Sequence, residues 1–138
     1  MNRINPEVAV MEQMKVPILF GVDEQLTCED EGEAVHYCLN TNQLDGRGDT
    51  LQIVIYPLSS RQMLLTDDSV IVNEMMMHGL DHEQMVRMLA KVDATGQIQL
   101  GDDLQLRLTV DDSLTLVAAA RMQLQRTMLA ILHQIGEL

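Results

Sequence analysis

His78 and His82 are the residues whose type and spacing come nearest to a metal site. Two imidazoles four apart share one face of a helix and can hold zinc. Gly79 falls between them, however, and Asp81 reads as a helix cap, so His78 is expected to precede the helix that carries His82. No Glu follows His78 to act as a base, and the pair reads as exposed polar residues near a helix end. Cys28, His36 and Cys38 form a second candidate: on neighbouring strands, a thiol could meet a base within hydrogen-bond reach, the minimum for nucleophilic catalysis. The pattern supplies no third orienting group and no oxyanion element, so these three read as ordinary strand content. Arg47-Gly48-Asp49 spells an adhesion tripeptide, but in a chain without an export signal it reads as a hairpin loop. No Gly-rich phosphate cradle, Ser-centred elbow or paired-cysteine zinc pattern is present. The sequence therefore predicts no catalytic residue, no cofactor and no metal, and the protein is not expected to be an enzyme.

Composition narrows the remaining classes. At 138 residues the chain is expected to form a single domain over residues 1–138. Aromatics make up only 2% while Met reaches 11, so core volume must come from Leu, Ile, Val and Met. Met is flexible and polarisable, and a Met-rich surface can repack against several apolar partners; equally, Met can replace aromatics as core filler. The formal net charge of -12 repels phosphate backbones and argues against nucleic acid or an anionic membrane as partner, leaving basic or apolar protein partners. Acid is concentrated in the pairs and runs Asp23-Glu24, Glu29 to Glu31, Asp67-Asp68, Asp102-Asp103 and Asp111-Asp112, which read as solvated turns. None has the ligand spacing of a calcium loop. Met1 to Glu7 lacks the apolar stretch of a signal peptide and no 18 apolar residues run together, so a cytoplasmic location with both cysteines reduced is expected.

The elements follow from punctuation and period. Asn5-Pro6-Glu7 starts a helix expected over residues 6–15, with Val8, Val10, Met11 and Met14 buried and Val16-Pro17 ending it. Ile18 to Val22 and Gln25 to Cys28 are weak strand candidates; Ala34 to Leu39 is a better one, and Leu51 to Tyr56 is the strongest β-branched run, stopped by Pro57. Residues 63–77 mix signals. Val70-Ile71-Val72 favours a strand, but Asp67-Asp68-Ser69 offers caps and Gly79 a left-handed stop, so a helix is expected. Asp81 with Gln84 forms a capping-box pattern before Met85, Val86, Met88, Leu89 and Val92, and Thr95-Gly96 closes that helix. A hairpin joins Ile98 and Leu100, through Gly101-Asp102-Asp103, to Leu104, Leu106, Leu108 and Val110. After Asp111-Asp112-Ser113, the positions Leu114, Val117, Leu124, Met128, Ile131, Ile135 and Leu138 mark one stripe of a long helix, broken only at Arg121. Arg121 is expected to snorkel from a core edge or to pair with an acid across an oligomer interface, and His133 to face solvent. The fold class is α+β: a twisted antiparallel sheet with an N-terminal helix, a central helical segment and a long C-terminal amphipathic helix.

This layout resembles the class I type III secretion chaperones. The likeness is carried by the first helix, the strands ending in Leu51 to Leu58, the central helical segment, the hairpin Gln97 to Val110 and the amphipathic stretch Gln123 to Leu132. The resemblance implies a bacterial cytoplasmic homodimer that binds the N-terminal segment of a secreted effector and keeps it secretion-competent. It assigns no binding residue by motif. Met75, Met76, Met77, Met85 and Met88 are the residues expected at a dimer or client surface, with core packing as their other reading. The alternative function is a regulatory or assembly accessory module of similar fold that binds a folded protein partner without catalysis.

Overall fold

The computed structural model describes residues 24–31, 34–44, 48–58 and 61–136. Its elements are strands β1 (Gln25–Glu31), β2 (Ala34–Leu44), β3 (Thr50–Leu58) and β4 (Gln62–Thr66), helices α1 (Val70–Met77) and α2 (His82–Val92), strands β5 (Gln99–Leu100) and β6 (Leu106–Asp111), and helix α3 (Leu114–Gln134). The helix expected over residues 6–15 and the strand expected over 18–22 lie outside the described residues. The six strands form one antiparallel sheet in the order β1-β2-β3-β4-β6-β5. The chain is thus α+β.

Register selects the inner face. Tyr37 stands opposite Ile55, Ile55 opposite Leu65 and Leu65 opposite Leu108, and all four are buried. Because side chains alternate along a strand, this row fixes Leu39, Ile53, Met63 and Leu106 on the same face. All of them join one core with Ile71, Val72 and Met75 of α1, Met85 and Leu89 of α2, and Val117, Leu124, Met128 and Ile131 of α3. Helix α3 crosses β6, β4 and β3, and α1 and α2 pack against it. The expected stripe is therefore the core face of α3 from Val117 to Ile131, while Leu114 is 43% exposed and the helix stops at Gln134. Ser113 caps it, its Oγ accepting the Leu116 N–H at 3.1 Å.

Three expectations change. Pro57 does not stop β3, which runs on to Leu58 with Pro57 opposite Met63. It sits past Ile55, the last β3 residue paired with β2, so only one neighbouring strand makes demands on its backbone. The helix expected between the caps Asp67-Asp68-Ser69 and Gly79 is present as α1 from Val70, but the stretch from Met63 ahead of those caps belongs to a central strand, Gln62–Thr66. Met63, Leu64 and Leu65 are buried in succession between β3 and β6, which erases the alternation that marks a half-exposed strand. Val70-Ile71-Val72 is helical despite its β-branching because Ile71 and Val72 enter the core, and tertiary burial outweighs a propensity difference of about 0.5 kcal/mol per residue. Leu104 does not lead β6. Gly101 donates to the Gln105 carbonyl at 2.9 Å and accepts from the Leu104 N–H at 3.0 Å, a three-residue turn that puts Leu104 in the left-handed position at φ 61.

Candidate functional site

The chemical candidates do not converge. His78 caps the end of α1 and His82 begins α2, both exposed. Among the described residues no group of three or more His, Cys, Asp or Glu side chains could share a metal ion. Cys28 stands opposite Tyr37 and Thr27 opposite Cys38, so the two thiols point to opposite faces of the β1–β2 pair. His36 shares a face with Cys38, and its ring lies 5.2 Å from that of Tyr56. The methionines separate too. Met75 and Met85 are core residues, Met88 is half-buried against the core, and only Met76 and Met77 stand out, at 44% and 65% exposure. The five do not form one surface, because a helix spreads consecutive residues around its circumference.

Two acids expected in solvated turns are buried. Glu24 pairs with Arg121, and both side chains are almost wholly enclosed. Arg121 thus neither snorkels nor waits for a second subunit. Burial lowers its guanidinium from the ordinary arginine value. Asp67 is fully buried at the turn between β4 and α1. One of its oxygens accepts the N–H of Ser69 at 3.1 Å and of Leu106 at 2.9 Å; the other accepts Ile71 at 2.9 Å and Val72 at 3.2 Å. It therefore caps α1, where Ser69 makes no side-chain cap, and continues the β6 ladder past the end of β4. Loss of solvent raises the Asp67 carboxyl above its ordinary value despite the four N–H groups that pull it down. An available signal is position: an acid between the apolar runs Met63 to Leu65 and Val70 to Val72 has core on both sides.

Asp93 plays the matching part after α2. Its carboxylate accepts the Thr95 hydroxyl at 2.7 Å, the Thr95 N–H at 3.2 Å and the Ile98 N–H at 3.0 Å, with the Gln123 amide at 3.5 Å. Partial burial pushes its carboxyl up, but these bonds outweigh that and hold it below its ordinary value. The α1–α2 unit is thus clamped to the β5–β6 hairpin at both ends, by Asp67 on Leu106 and by Asp93 on Ile98. The box foreseen at Asp81 is also present, with Gln84 N–H to Asp81 at 2.8 Å and the return bond at 2.9 Å.

The clamps leave strand β5 at the rim of the sheet. Among the described residues β5 has β6 on one side and no strand on the other. The Gly101-to-Gln105 bond sets the alternation of the ladder, so Gln99 and Arg107 form a hydrogen-bonded pair and Leu100 and Leu106 do not. The N–H and C=O of Leu100 consequently point to the open side. Different channels flank this edge. Between α2 and β5 runs an apolar trench of ≈ 380 Å³ lined by Val86, Leu89, Ala90, Ile98 and Leu100, whose one carboxylate, Asp93, is already engaged. The other face carries a polar cleft of ≈ 680 Å³ with Gln97, Gln99, Arg107 and Thr109. An apolar row, an open backbone and a polar row side by side match an extended peptide, whose side chains alternate between the two faces.

A family model described as a domain of unknown function, DUF1828, matches residues 41–131, and the chain belongs to that family. The match leaves out β1 and most of β2, although Tyr37, Leu39 and Glu24 complete the buried layer. No curated protein and no solved structure matches the chain. No helix among the described residues is long and apolar enough to cross a membrane.

Proposed function

We propose, taking membership of the DUF1828 family as the premise, that this chain is a non-enzymatic protein-binding domain that holds an extended segment of a client along β5. In the specific form its resemblance to the type III secretion chaperones implies, the client is the N-terminal segment of a secreted effector, the binding unit is a homodimer in the bacterial cytoplasm, and the bound segment is kept unfolded for export. One observation carries the reading: the outward N–H and C=O of Leu100 lie between an apolar trench and a polar cleft. Backbone pairing there supplies affinity without sequence preference, and each Leu or Ile side chain entering the trench adds about 1.5–3 kcal/mol.

Leu100→Pro tests it. Proline removes the outward N–H and leaves the β6 ladder intact, because Leu100 and Leu106 exchange no backbone hydrogen bond; Leu100→Val keeps the N–H and serves as the control. The tagged protein is recovered from its native lysate, cross-linked, and sized by light scattering. The expected result is a dimer with one secreted protein whose N-terminal segment cross-links to residues 97–100, lost in the proline variant and retained in the valine variant. Equal recovery by both variants, or cross-links that avoid β5, would sink the reading.

A further inference from the structure

The other flank of α2 carries a second surface, which does not depend on the β5 reading. Helical spacing puts Val86, Leu89 and Ala90 on the trench side and Gln84, Arg87, Met88 and Lys91 on the opposite side. With Leu80, those four line a shallow groove of ≈ 340 Å³. Its floor is Leu80 and Met88, both half-buried, and Met is the side chain best able to reshape around an incoming apolar group. Its rim is basic. Arg87 and Lys91 border the groove and, among the described residues, no acid lines it, in a chain with 21 acidic and 9 basic residues. Neither cation is strongly committed: Arg87 meets Glu83 at 3.4 Å with both side chains largely exposed, and Lys91 donates to the neutral Gln134 of α3 at 3.1 Å. Exposed pairs of this kind exchange readily.

We propose that this groove docks an acidic amphipathic helix of a partner protein. From Gln84 to Lys91 it extends roughly 10 Å along the α2 axis, about two helical turns. An incoming helix would lie beside α2, its apolar stripe on Leu80 and Met88 and its carboxylates against Arg87 and Lys91, the helix-in-groove mode. Local charge therefore reverses the preference that net charge alone implies. The overall -12 favours a basic partner, whereas this groove selects an acidic one.

The probe is a stapled helical peptide with Leu at i, i+3, i+4 and i+7 flanked by Glu, compared by fluorescence anisotropy with the same peptide carrying Lys for Glu. The Glu peptide is expected to bind about tenfold tighter at low salt, an advantage that shrinks at high salt and inverts in the double variant Arg87→Glu, Lys91→Glu. Both positions are exposed, and circular dichroism checks that the variant folds. Equal affinity for the two peptides, no binding of either, or a preference untouched by the double variant overturns the proposal. If sedimentation instead shows self-association abolished by the double variant, the groove belongs to a second copy of the chain, and the partner helix is ruled out.

Discussion

Asp67 and Asp93 perform the same task in two settings. Each sits where the α1–α2 unit joins the sheet, each accepts backbone N–H from its own turn, and each holds one arm of the β5–β6 hairpin, Asp67 at Leu106 of β6 and Asp93 at Ile98 just before β5. They differ in company. Asp67 is held mainly by backbone N–H groups in the apolar layer, with the Thr66 hydroxyl no nearer than 3.5 Å, and its carboxyl is raised; Asp93 lies at the trench with the Thr95 hydroxyl at 2.7 Å and an amide among its donors, and its carboxyl is lowered. An N–H group stabilises a carboxylate in both places. Which way the carboxyl shifts is decided by how much water is excluded.

The largest effect should come from removing one acceptor at each clamp. Asp67→Asn turns an NH2 group towards two buried N–H donors and leaves them unsatisfied, which should lower stability by about 3–4 kcal/mol. Asp93→Asn should lose about 1–2 kcal/mol, because the Thr95 hydroxyl can reorient and water is near. Urea denaturation measures both, and equal losses would erase the distinction. Acid separates the two further. A raised folded-state value means that Asp67 binds its proton more tightly in the folded chain, so its contribution to stability grows as pH falls from above that value towards the unfolded value of 3.8. The lowered value of Asp93 means that its contribution is present above 3.8 and is lost as pH falls from there through the folded value. Midpoints measured against pH should therefore show wild type gaining on the Asp67→Asn variant towards pH 4 and losing its lead over the Asp93→Asn variant below it. Parallel profiles would contradict the assignment. The smallest effect concerns the turns themselves. Asp68 and Ser69 hold φ 53 and 66 before α1, whereas the turn after α2 uses Gly96 at φ 70. Ser69→Gly should stabilise the protein by about 0.5–1 kcal/mol and Gly96→Ala should destabilise it by about 1 kcal/mol, read as shifts in thermal midpoint.

The same contrast explains what was legible from residues alone. The Asp81–Gln84 box, the Ser113 cap and the stripe from Val117 to Ile131 involve partners within a few residues or one helical period, and they emerge as expected. Asp67 and Leu106 are 39 positions apart, and Glu24 and Arg121 are 97 apart, so although the apolar runs around Asp67 and the stripe around Arg121 hint at burial, nothing local names their partners. β4 escaped detection because a strand buried on both faces has lost its period. The β5 edge could not be read at all from sequence, since it depends on which strand ends the sheet. The α2 groove was glimpsed only through Met88; Met75 and Met85 are buried in the core beneath it.

The Glu24–Arg121 pair also sets how little of this chain can stand alone. A piece cut at residues 41 and 131 would begin inside β2 and keep Arg121 on the core side of α3 while losing Glu24, the carboxylate it pairs with. Breaking that buried pair would destabilise the fragment by about 3–5 kcal/mol, a large part of what a domain of this size possesses. The smallest autonomous unit is therefore marked by a charge that must be neutralised, and it begins no later than the residue that neutralises it.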